Sequence, residues 1–453
     1  MLSPEVCRKA RLARDPRFDG HFFTAVKTTG IYCRCICPAI APKEKNVIYL
    51  PTAIAAARAG FRPCLRCRPD SAPESPAWKG VDTTLERAIK LIHEGALQTG
   101  HLPALAQRLG ISDRYLRQLF QKHLGVSPKA YALYQQCLFA KQLLHQTRLP
   151  ITQVALASGF NSVRRFNDYF QQQLSLTPSQ LRKTKQSVVK SIQLQLHYRP
   201  PYNWQAMLNF LRPRLIEGLE WCNDKSYGRA FQWHDTQGFF TVEHGKANNT
   251  LLATIALDDI RYLKPVVNNI RRILDIDVDL YRVEESLKPL FPPTQFQSGL
   301  RLPGTWSLFE AGIRAILGQQ ISVAAARNLV ARLVNELGER YQNHQLFPTP
   351  QAIANSSLDF FSMPGARKQT LHDLAQHYLD SENPNDPQAW LGIKGIGPWT
   401  VNYACMRGLS DPDIYLGGDL GVKKAQAILP DSFKPEQASP WRSYLTIHLW
   451  SQL

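Results

Sequence analysis

The chain has 453 residues, 44% of them hydrophobic and 20% charged, enough apolar material for several packed cores and too much for a disordered chain. Its length suggests about three domains. Lysine plus arginine number 54 against 36 aspartates and glutamates, a formal net charge of +18, so the first partner to expect is a polyanion, with nucleic acid the first candidate. No apolar run approaches the roughly 20 residues of a membrane span, which argues against a membrane partner. The basic stretch from Met1 to Arg14 lacks an apolar signal core, so a cytoplasmic protein is expected. Nine cysteines without a secretion signal argue against a disulfide framework.

Five of those cysteines crowd together as Cys33, Cys35, Cys37, Cys64 and Cys67. Two close pairs joined by a loop can surround one ion tetrahedrally, and zinc suits four sulfur ligands. Cys64 and Cys67 form one pair. The other is Cys33/Cys37, Cys33/Cys35 or Cys35/Cys37, and spacing does not choose. A zinc-bound thiol stays deprotonated at neutral pH, and a thiolate is a nucleophile.

Three stretches here resemble the N-terminal domain of the Ada-type adaptive-response regulators. They are Phe18-Asp19-Gly20, Val26 to Arg34 (VKTTGIYCR) and Gly60-Phe61-Arg62-Pro63-Cys64 with Cys67. The resemblance implies one Zn2+ held by Cys33, Cys37, Cys64 and Cys67, with Cys35 left over. It also implies that Cys33 accepts a methyl group from a methylated DNA phosphate, and that Arg34 contacts DNA. Methylation removes a negative charge from the site and should strengthen DNA binding. Where the family carries a basic residue after the second cysteine, this chain has Pro38-Ala39-Ile40, which weakens that contact or moves it to Lys43 and Lys45. The domain is placed at 1–72.

A Pro/Ser-rich linker, Ser71 to Pro76, precedes a domain at 81–184. Two similar patterns lie in it, Leu102 to Gln121 and Ile151 to Gln172. Each has a short apolar helix, a glycine turn (Gly110, Gly159) and a capped second helix with apolar residues three and four apart. That is a pair of helix-turn-helix units. Arg114, Arg117 and Gln118 in the first reader helix, and Arg164, Arg165 and Asn167 in the second, suit phosphates and purine edges. The unit resembles the AraC-type DNA-binding domain, down to the closing Leu176 to Arg182 (LTPSQLR), which implies promoter binding and RNA polymerase as a partner.

After a linker at Lys183 to Lys190, alternation predicts strands over Ser191 to Tyr198, Gly238 to Val242 and Leu251 to Ile255. Helical patterns cover Trp204 to Leu215 and Leu263 to Leu274, so an α+β cap domain is expected at 190–300. Through Tyr198 to Trp204 (YRPPYNW) and Ser226 to Arg229 (SYGR) it resembles the N-terminal domain of 3-methyladenine DNA glycosylase II, the AlkA type. From Gly299 the pattern turns all helical, and a helical domain is expected at 301–453.

The match to the same glycosylases sharpens at Phe309 to Val323, Phe347 to Pro350 and Trp441 to Trp450. Between these lies Leu391-Gly392-Ile393-Lys394-Gly395-Ile396-Gly397-Pro398-Trp399-Thr400. Two glycines around Ile396 permit a tight turn whose N–H groups can face a phosphate, and Pro398 can open the next helix. An acid follows in a glycine loop, Leu416-Gly417-Gly418-Asp419. The arrangement resembles the helix-hairpin-helix DNA glycosylases. A glycosidic bond under cleavage gains oxocarbenium character, which a carboxylate stabilises, and the base must leave the stack to be reached. An aromatic pocket would attract a cationic alkylated ring.

The resemblance implies catalysis by Asp419 and a base pocket of Trp399, Tyr403, Trp450 and, from the cap, Phe210. It implies DNA contacts at Gln320, Gly395, Gly397 and Thr400, and a monovalent cation at the hairpin. Gln320 replaces a large apolar wedge, and Leu420 an aromatic of some members. Lys394, Arg407, Lys423 and Lys424 are candidate phosphate contacts. Pro398-Trp399 occupies the position where bifunctional relatives carry a Schiff-base lysine, so hydrolysis without strand cleavage is expected. The sequence carries no four-cysteine iron–sulfur loop after Asp419 and no Pro-Cys-His-Arg motif for guanine O6-alkyl transfer. The sum is a multidomain, mainly α protein with α+β parts: an alkylation-response regulator joined to a 3-methyladenine-type glycosylase. A transcription regulator whose glycosylase half only reads damage is the alternative.

Overall fold

A computed structural model describes residues 2–15, 18–37, 39–64, 67, 83–99, 101–182, 191–245, 247, 249–381, 383–430 and 433–452. Both expected linkers, 71–76 and 183–190, lie outside the described residues. The chain forms two compact units, Met1–Leu194 with Asp259–Asn268 and Gln195–Asp258 with Asn269–Leu453. The architecture is mainly α with two principal sheets. Among the described residues no helix is long and apolar enough to cross a membrane.

The first unit starts with the helix Pro4–Ala13, capped by Ser3, and a four-stranded sheet. Its strands are β1 (Phe23–Val26), β2 (Ile31–Arg34), β3 (Val47–Leu50) and β4 (Arg62–Pro63), in the order β3-β1-β2-β4. β2 and β4 run parallel, pairing Ile31 with Arg62 and Tyr32 with Pro63. Phe23, Ala25, Tyr32 and Ala56 form a small buried core beneath.

The helix-turn-helix pattern is realised twice, by Leu102–Arg108 with Asp113–Leu124 and by Ile151–Ala157 with Val163–Leu174. Ser112 and Ser162 cap the second helices through Tyr115 N and Arg165 N. Gly110 and Gly159 take φ of 69° and 86° at the turns, the left-handed region that favours glycine. Between the repeats runs a 19-residue helix, Pro128–Gln146, which the sequence reading did not assign. Tyr131, Tyr134, Leu138, Phe139, Leu143 and Leu144 are buried along it, around more than one face, so it lacks the apolar stripe that marks a surface helix. Tyr134 hydrogen-bonds Tyr32 of the cysteine module and donates to Ala53 O at 3.4 Å, tying that module to the long helix.

The second unit holds most of a five-stranded sheet ordered β5-β9-β8-β7-β6. The strands are β5 (Ile192–His197), β6 (Glu220–Cys222), β7 (Ser226–Trp233), β8 (Thr236–His244) and β9 (Thr250–Leu257), with β6 to β9 antiparallel throughout. The expected helix over Trp204 to Leu215 stops at Leu211 and becomes a 3₁₀ turn, Arg212–Arg214, because Pro213 has no N–H to continue it. Beyond residue 299 the chain is helical apart from two short paired strands, Arg340–Tyr341 and His344–Gln345, a departure from the all-helical expectation. The helix Leu308–Gly318 is central, with Phe309, Ala311, Ile313, Ile316 and Leu317 buried in a core shared with Val330, Leu374, Trp390 and Val401.

A buried charge network fastens the sheet to this helix. Arg229 (1% exposed) on β7 donates to Glu310 at 2.9 and 3.2 Å, and Arg314 donates to Glu310 and to Glu220, each at 2.9 Å. Burial opposes the charge on Glu310, and the two guanidinium groups overcome it, holding the carboxyl below its ordinary range. Removing one partner leaves buried charge uncompensated. Arg229→Ala is therefore expected to destabilise the second unit by about 3–5 kcal/mol. Urea unfolding followed by tryptophan fluorescence checks this, and an unchanged midpoint would show that Arg229 only fills space.

Candidate active site and metal centre

The metal centre is assembled by one turn and one parallel pairing. Cys33 is the last residue but one of β2, and Cys37 N donates to Arg34 O at 3.2 Å, a turn that returns Cys37 to the side of Cys33. Cys64 N donates to Tyr32 O at 2.9 Å, continuing the β2–β4 ladder and bringing the second pair alongside. The sulfurs of Cys33, Cys37, Cys64 and Cys67 all lie within 4.8 Å of one another, with Cys37 and Cys64 at 3.9 Å. Tetrahedral zinc–sulfur bonds of about 2.3 Å set the ligand sulfurs about 3.8 Å apart, so the cluster fits one Zn2+. The open question of pairing is thereby closed, since Cys35 turns the other way. It is 1% exposed, donates to Asp15 O at 3.4 Å and packs with Cys7, Ala10 and Phe22.

Cys64 and Cys67 are buried, whereas Cys33 and Cys37 are half-buried. Cys33 borders a cavity of about 870 Å³ shared with Thr24, Val26, Lys141 and Leu174. Arg34, expected at DNA, is committed elsewhere. Its guanidinium binds both oxygens of the buried Asp19 and donates to Cys67 O at 3.3 Å, while Arg34 N donates to Cys67 Sγ at 3.3 Å. Desolvating a carboxylate requires a paired cation, and Arg34 supplies it. Lys43 and Lys45 stand exposed. On the reader helices Arg114, Arg117, Gln118, Arg164, Arg165 and Asn167 are all exposed, over the buried Leu116, Phe120, Phe166 and Phe170.

In the second unit the hairpin follows the 3₁₀ turn Pro387–Gly392 and leads into the helix Pro398–Gly408, with Gly397 as its N-cap. Gly395 has φ of 92°, and a Cβ there would meet Thr370 Oγ1 at 2.2 Å, so glycine is required. Thr370 donates to Lys394 O at 2.9 Å, and Gln319 Nε2 donates to Gly395 O and to Thr400 Oγ1, each at 3.0 Å. Gln319 and Thr370 thus brace the hairpin. The sequence reading saw Gln319 only as part of a motif and passed over Thr370. Thr400, expected at DNA, is 1% exposed, so its side chain holds the hairpin together and does not face a phosphate. Gly395, Lys394, Lys423 and Lys424 are exposed. Gln320 is exposed with φ of 60°, a left-handed backbone uncommon outside glycine, and Ile321 beside it is also exposed.

Trp399 and Tyr403 lie one turn apart on the hairpin helix and stack at 5.4 Å. Phe210, near the end of the helix Trp204–Leu211, stacks at 6.1 Å on Trp450, the last residue of the helix Arg442–Trp450. All four rings are half-buried. Asp419 N donates to Leu416 O at 2.8 Å, and Asp419 caps the helix Leu420–Gln426. Its Oδ1 accepts from Gly421 N at 2.9 Å, Val422 N at 3.1 Å and Trp450 Nε1 at 3.0 Å. Oδ2 has no hydrogen-bond partner among the described residues. One oxygen fixes the carboxylate and the other is free to act.

Two arginines lie beside these rings, one that the sequence reading placed at a phosphate and one that it passed over. Arg407, expected at a phosphate, is 4% exposed; it donates to Pro303 O at 2.5 Å and to Tyr403 Oη at 3.3 Å. Its guanidinium carbon lies 4.8 Å from the Phe210 ring centre. Arg214, unnoticed in the sequence, lies 3.9 Å from the same ring and donates to Phe210 O at 2.8 Å. Burial and Arg407 lower the Arg214 pKa to about 10, while Tyr403 and Asp419 act the other way, so it stays protonated at neutral pH. The Phe210 ring is therefore already in contact with two cations.

A braced glycine hairpin, a fixed acid and four half-buried aromatic rings, joined in one chain to a four-thiol metal module and paired helix-turn-helix units, define a DNA glycosylase with a DNA-binding regulatory half. The chain matches family models for the metal binding domain of Ada over residues 6–70, a helix-turn-helix domain over 105–184 and the AlkA N-terminal domain over 193–307. A probable bifunctional transcriptional activator/DNA repair enzyme AlkA from Mycobacterium tuberculosis is 34% identical over 479 residues, covering 99% of this chain and 96% of its own. DNA-3-methyladenine glycosylase 2 of Escherichia coli is 33% identical, covering 56% of this chain and 95% of its own. The bifunctional transcriptional activator/DNA repair enzyme Ada of Escherichia coli is 35% identical, covering 38% of this chain and 47% of its own. The chain belongs to the family of AlkA-type bifunctional transcriptional activators and DNA repair enzymes.

Proposed function

We propose that this protein hydrolyses the N-glycosidic bond of alkylated bases of the 3-methyladenine type and senses methylphosphotriesters at its zinc–cysteine centre. The proposed division is 1–72 for the methyl acceptor, 81–184 for promoter reading, 190–300 for the cap and 301–453 for the glycosylase. The observation that carries the enzymatic reading is Asp419, held through one oxygen by three donors beside four half-buried aromatic rings. Gly395 and Gly397 would lie against the backbone of damaged DNA while Gln320 fills the space of the extruded base. The base would enter between Trp399, Tyr403 and Trp450, with Phe210 at the cap side. Asp419 Oδ2 would stabilise the oxocarbenium sugar and orient the attacking water. The C1′–N bond breaks with its electron pair going to the base, the water oxygen bonds to C1′, and the proton that water sheds passes by way of Asp419 to solvent.

At the other end, bound zinc keeps its thiol ligands deprotonated. Cys33 Sγ would attack the methyl carbon of a phosphotriester. A sulfur–carbon bond forms, the carbon–oxygen bond breaks, and the electron pair stays on the phosphate as a diester anion. Arg114, Arg117, Arg164 and Arg165 would then hold promoter DNA, with RNA polymerase as the partner of the activator. A cytoplasmic, nucleoid-associated place in a bacterium accords with the charge of +18. A monovalent cation at the hairpin would have to share the Lys394 and Gly395 carbonyls with Thr370 and Gln319.

The full chain, incubated with duplex carrying 3-methyladenine, is expected to release the free base and leave the strand intact until alkali is added. Pro398-Trp399 provides no amine for a Schiff base. Strand breaks before alkali would overturn hydrolysis without cleavage, and no release would overturn the glycosylase.

A further inference from the structure

Arg229 and Arg314 are matched to the carboxylates of Glu310 and Glu220, whereas the buried Arg301 and Arg407 donate to backbone carbonyls. Arg214 also meets a backbone carbonyl, yet keeps donors unspent. It is half-buried against Phe210 and forms no ion pair among the described residues. Its Nη1 is spent on Phe210 O, and its Nε and Nη2 have no hydrogen-bond partner among them. Its position is nonetheless well determined. Pro213 ends the helix, the 3₁₀ turn fixes residues 212–214, and Arg314 Nη1 donates to Arg214 O at 3.3 Å, linking the turn to the buried charge network. A cation held this firmly beside the base pocket, with donors unspent, can donate to a group that enters the pocket.

The lesions differ in what they require of such a group. An N7- or N3-methylated purine is cationic, and the electron pair of the breaking C1′–N9 bond neutralises it, so the base departs uncharged. A neutral damaged purine departs as an anion, its charge spread over N3, N7 and a carbonyl oxygen, and takes a proton from water afterwards. A guanidinium hydrogen bond to that ring stabilises the second departure, because charge develops at the acceptor as the bond breaks. Toward the first it offers little, since two positive groups repel.

We propose that Arg214 is the leaving-group contact of this glycosylase: it hydrogen-bonds the departing ring of a neutral damaged purine and is dispensable for a cationic one. The assignment rests on the glycosylase reading of Asp419. Arg407 spends Nε on Pro303 O and Nη1 on Tyr403 Oη and adds positive potential beside the same ring.

The test is single-turnover release, at saturating full-length protein, from two duplexes alike except for one 7-methylguanine or one hypoxanthine. Arg214→Ala is expected to lose about 100-fold on hypoxanthine and at least about 30-fold less on 7-methylguanine, so that the ratio of the two rates shifts. Arg214→Lys should recover part of the hypoxanthine rate through its retained charge. An equal loss on both duplexes would reduce Arg214 to a support for Phe210. No loss on either, or wild type that releases 7-methylguanine and never hypoxanthine, would remove it from the leaving group. Wild type that releases neither base would instead overturn the glycosylase reading itself.

Discussion

Asp419→Asn is expected to lower the single-turnover release of 3-methyladenine by at least about 1000-fold, a loss of about 4 kcal/mol of transition-state stabilisation. The substitution is close to isosteric, and an amide oxygen can still accept from Gly421 N, Val422 N and Trp450 Nε1. The helix cap at Leu420–Gln426 and the stack of Trp450 on Phe210 should therefore survive. What goes is the charge that faces the oxocarbenium sugar. Damaged-duplex binding, measured by titration, should stay within a few-fold of wild type, which separates a lost reaction from a lost fold. Equal release by the two proteins would deprive Asp419 of its role and restore the reading of this half as a damage reader.

The second large effect is expected at the other end of the chain. Cys33→Ala should abolish transfer of labelled methyl from methylphosphotriester DNA, from one methyl per chain to none, because the nucleophile is gone. Cys33 and Cys37 are the half-buried thiols of the cluster, whereas Cys64 and Cys67 are buried, and the adjoining cavity is bordered by Cys33, Cys35, Cys37 and Cys64 alike. Cys35→Ala should leave labelling intact, since that thiol is packed against Cys7 and Phe22. Labelling that persists in Cys33→Ala would point to Cys37, the other half-buried sulfur. The two predictions are independent, because one reads a carboxylate in the second unit and the other a thiolate in the first.

How a cation is used depended on its surroundings in every case. Arg34 neutralises the buried Asp19, and Arg407 serves the pocket through Tyr403 and Phe210. Lys394, Lys423 and Lys424 remain exposed and free to meet phosphate. Sequence assigned all five the same provisional role, since a basic residue in a DNA-binding chain carries no mark of its partner. The pocket shifts accordingly. An aromatic cleft imagined as open to a cationic ring already holds two guanidinium groups against Phe210.

The amino-acid sequence alone established whatever is written in short-range spacing. The paired cysteines, the two capped reader helices, the glycines of the hairpin and the acid after Gly417-Gly418 each need only a few neighbouring residues to be read, because turns, caps and helix faces are local. Spacing left open which of Cys33, Cys35 and Cys37 pair, the family resemblance pointed to Cys33 and Cys37, and the fold brings those two together. Tertiary structure alone decided that Thr400 is a brace and that Arg214 enters the site. Those outcomes turn on partners distant in the chain, such as Cys64 for Cys37 and Gln319 for Thr400. A buried polar group must find its partner wherever the fold supplies one, and local spacing does not specify where that will be.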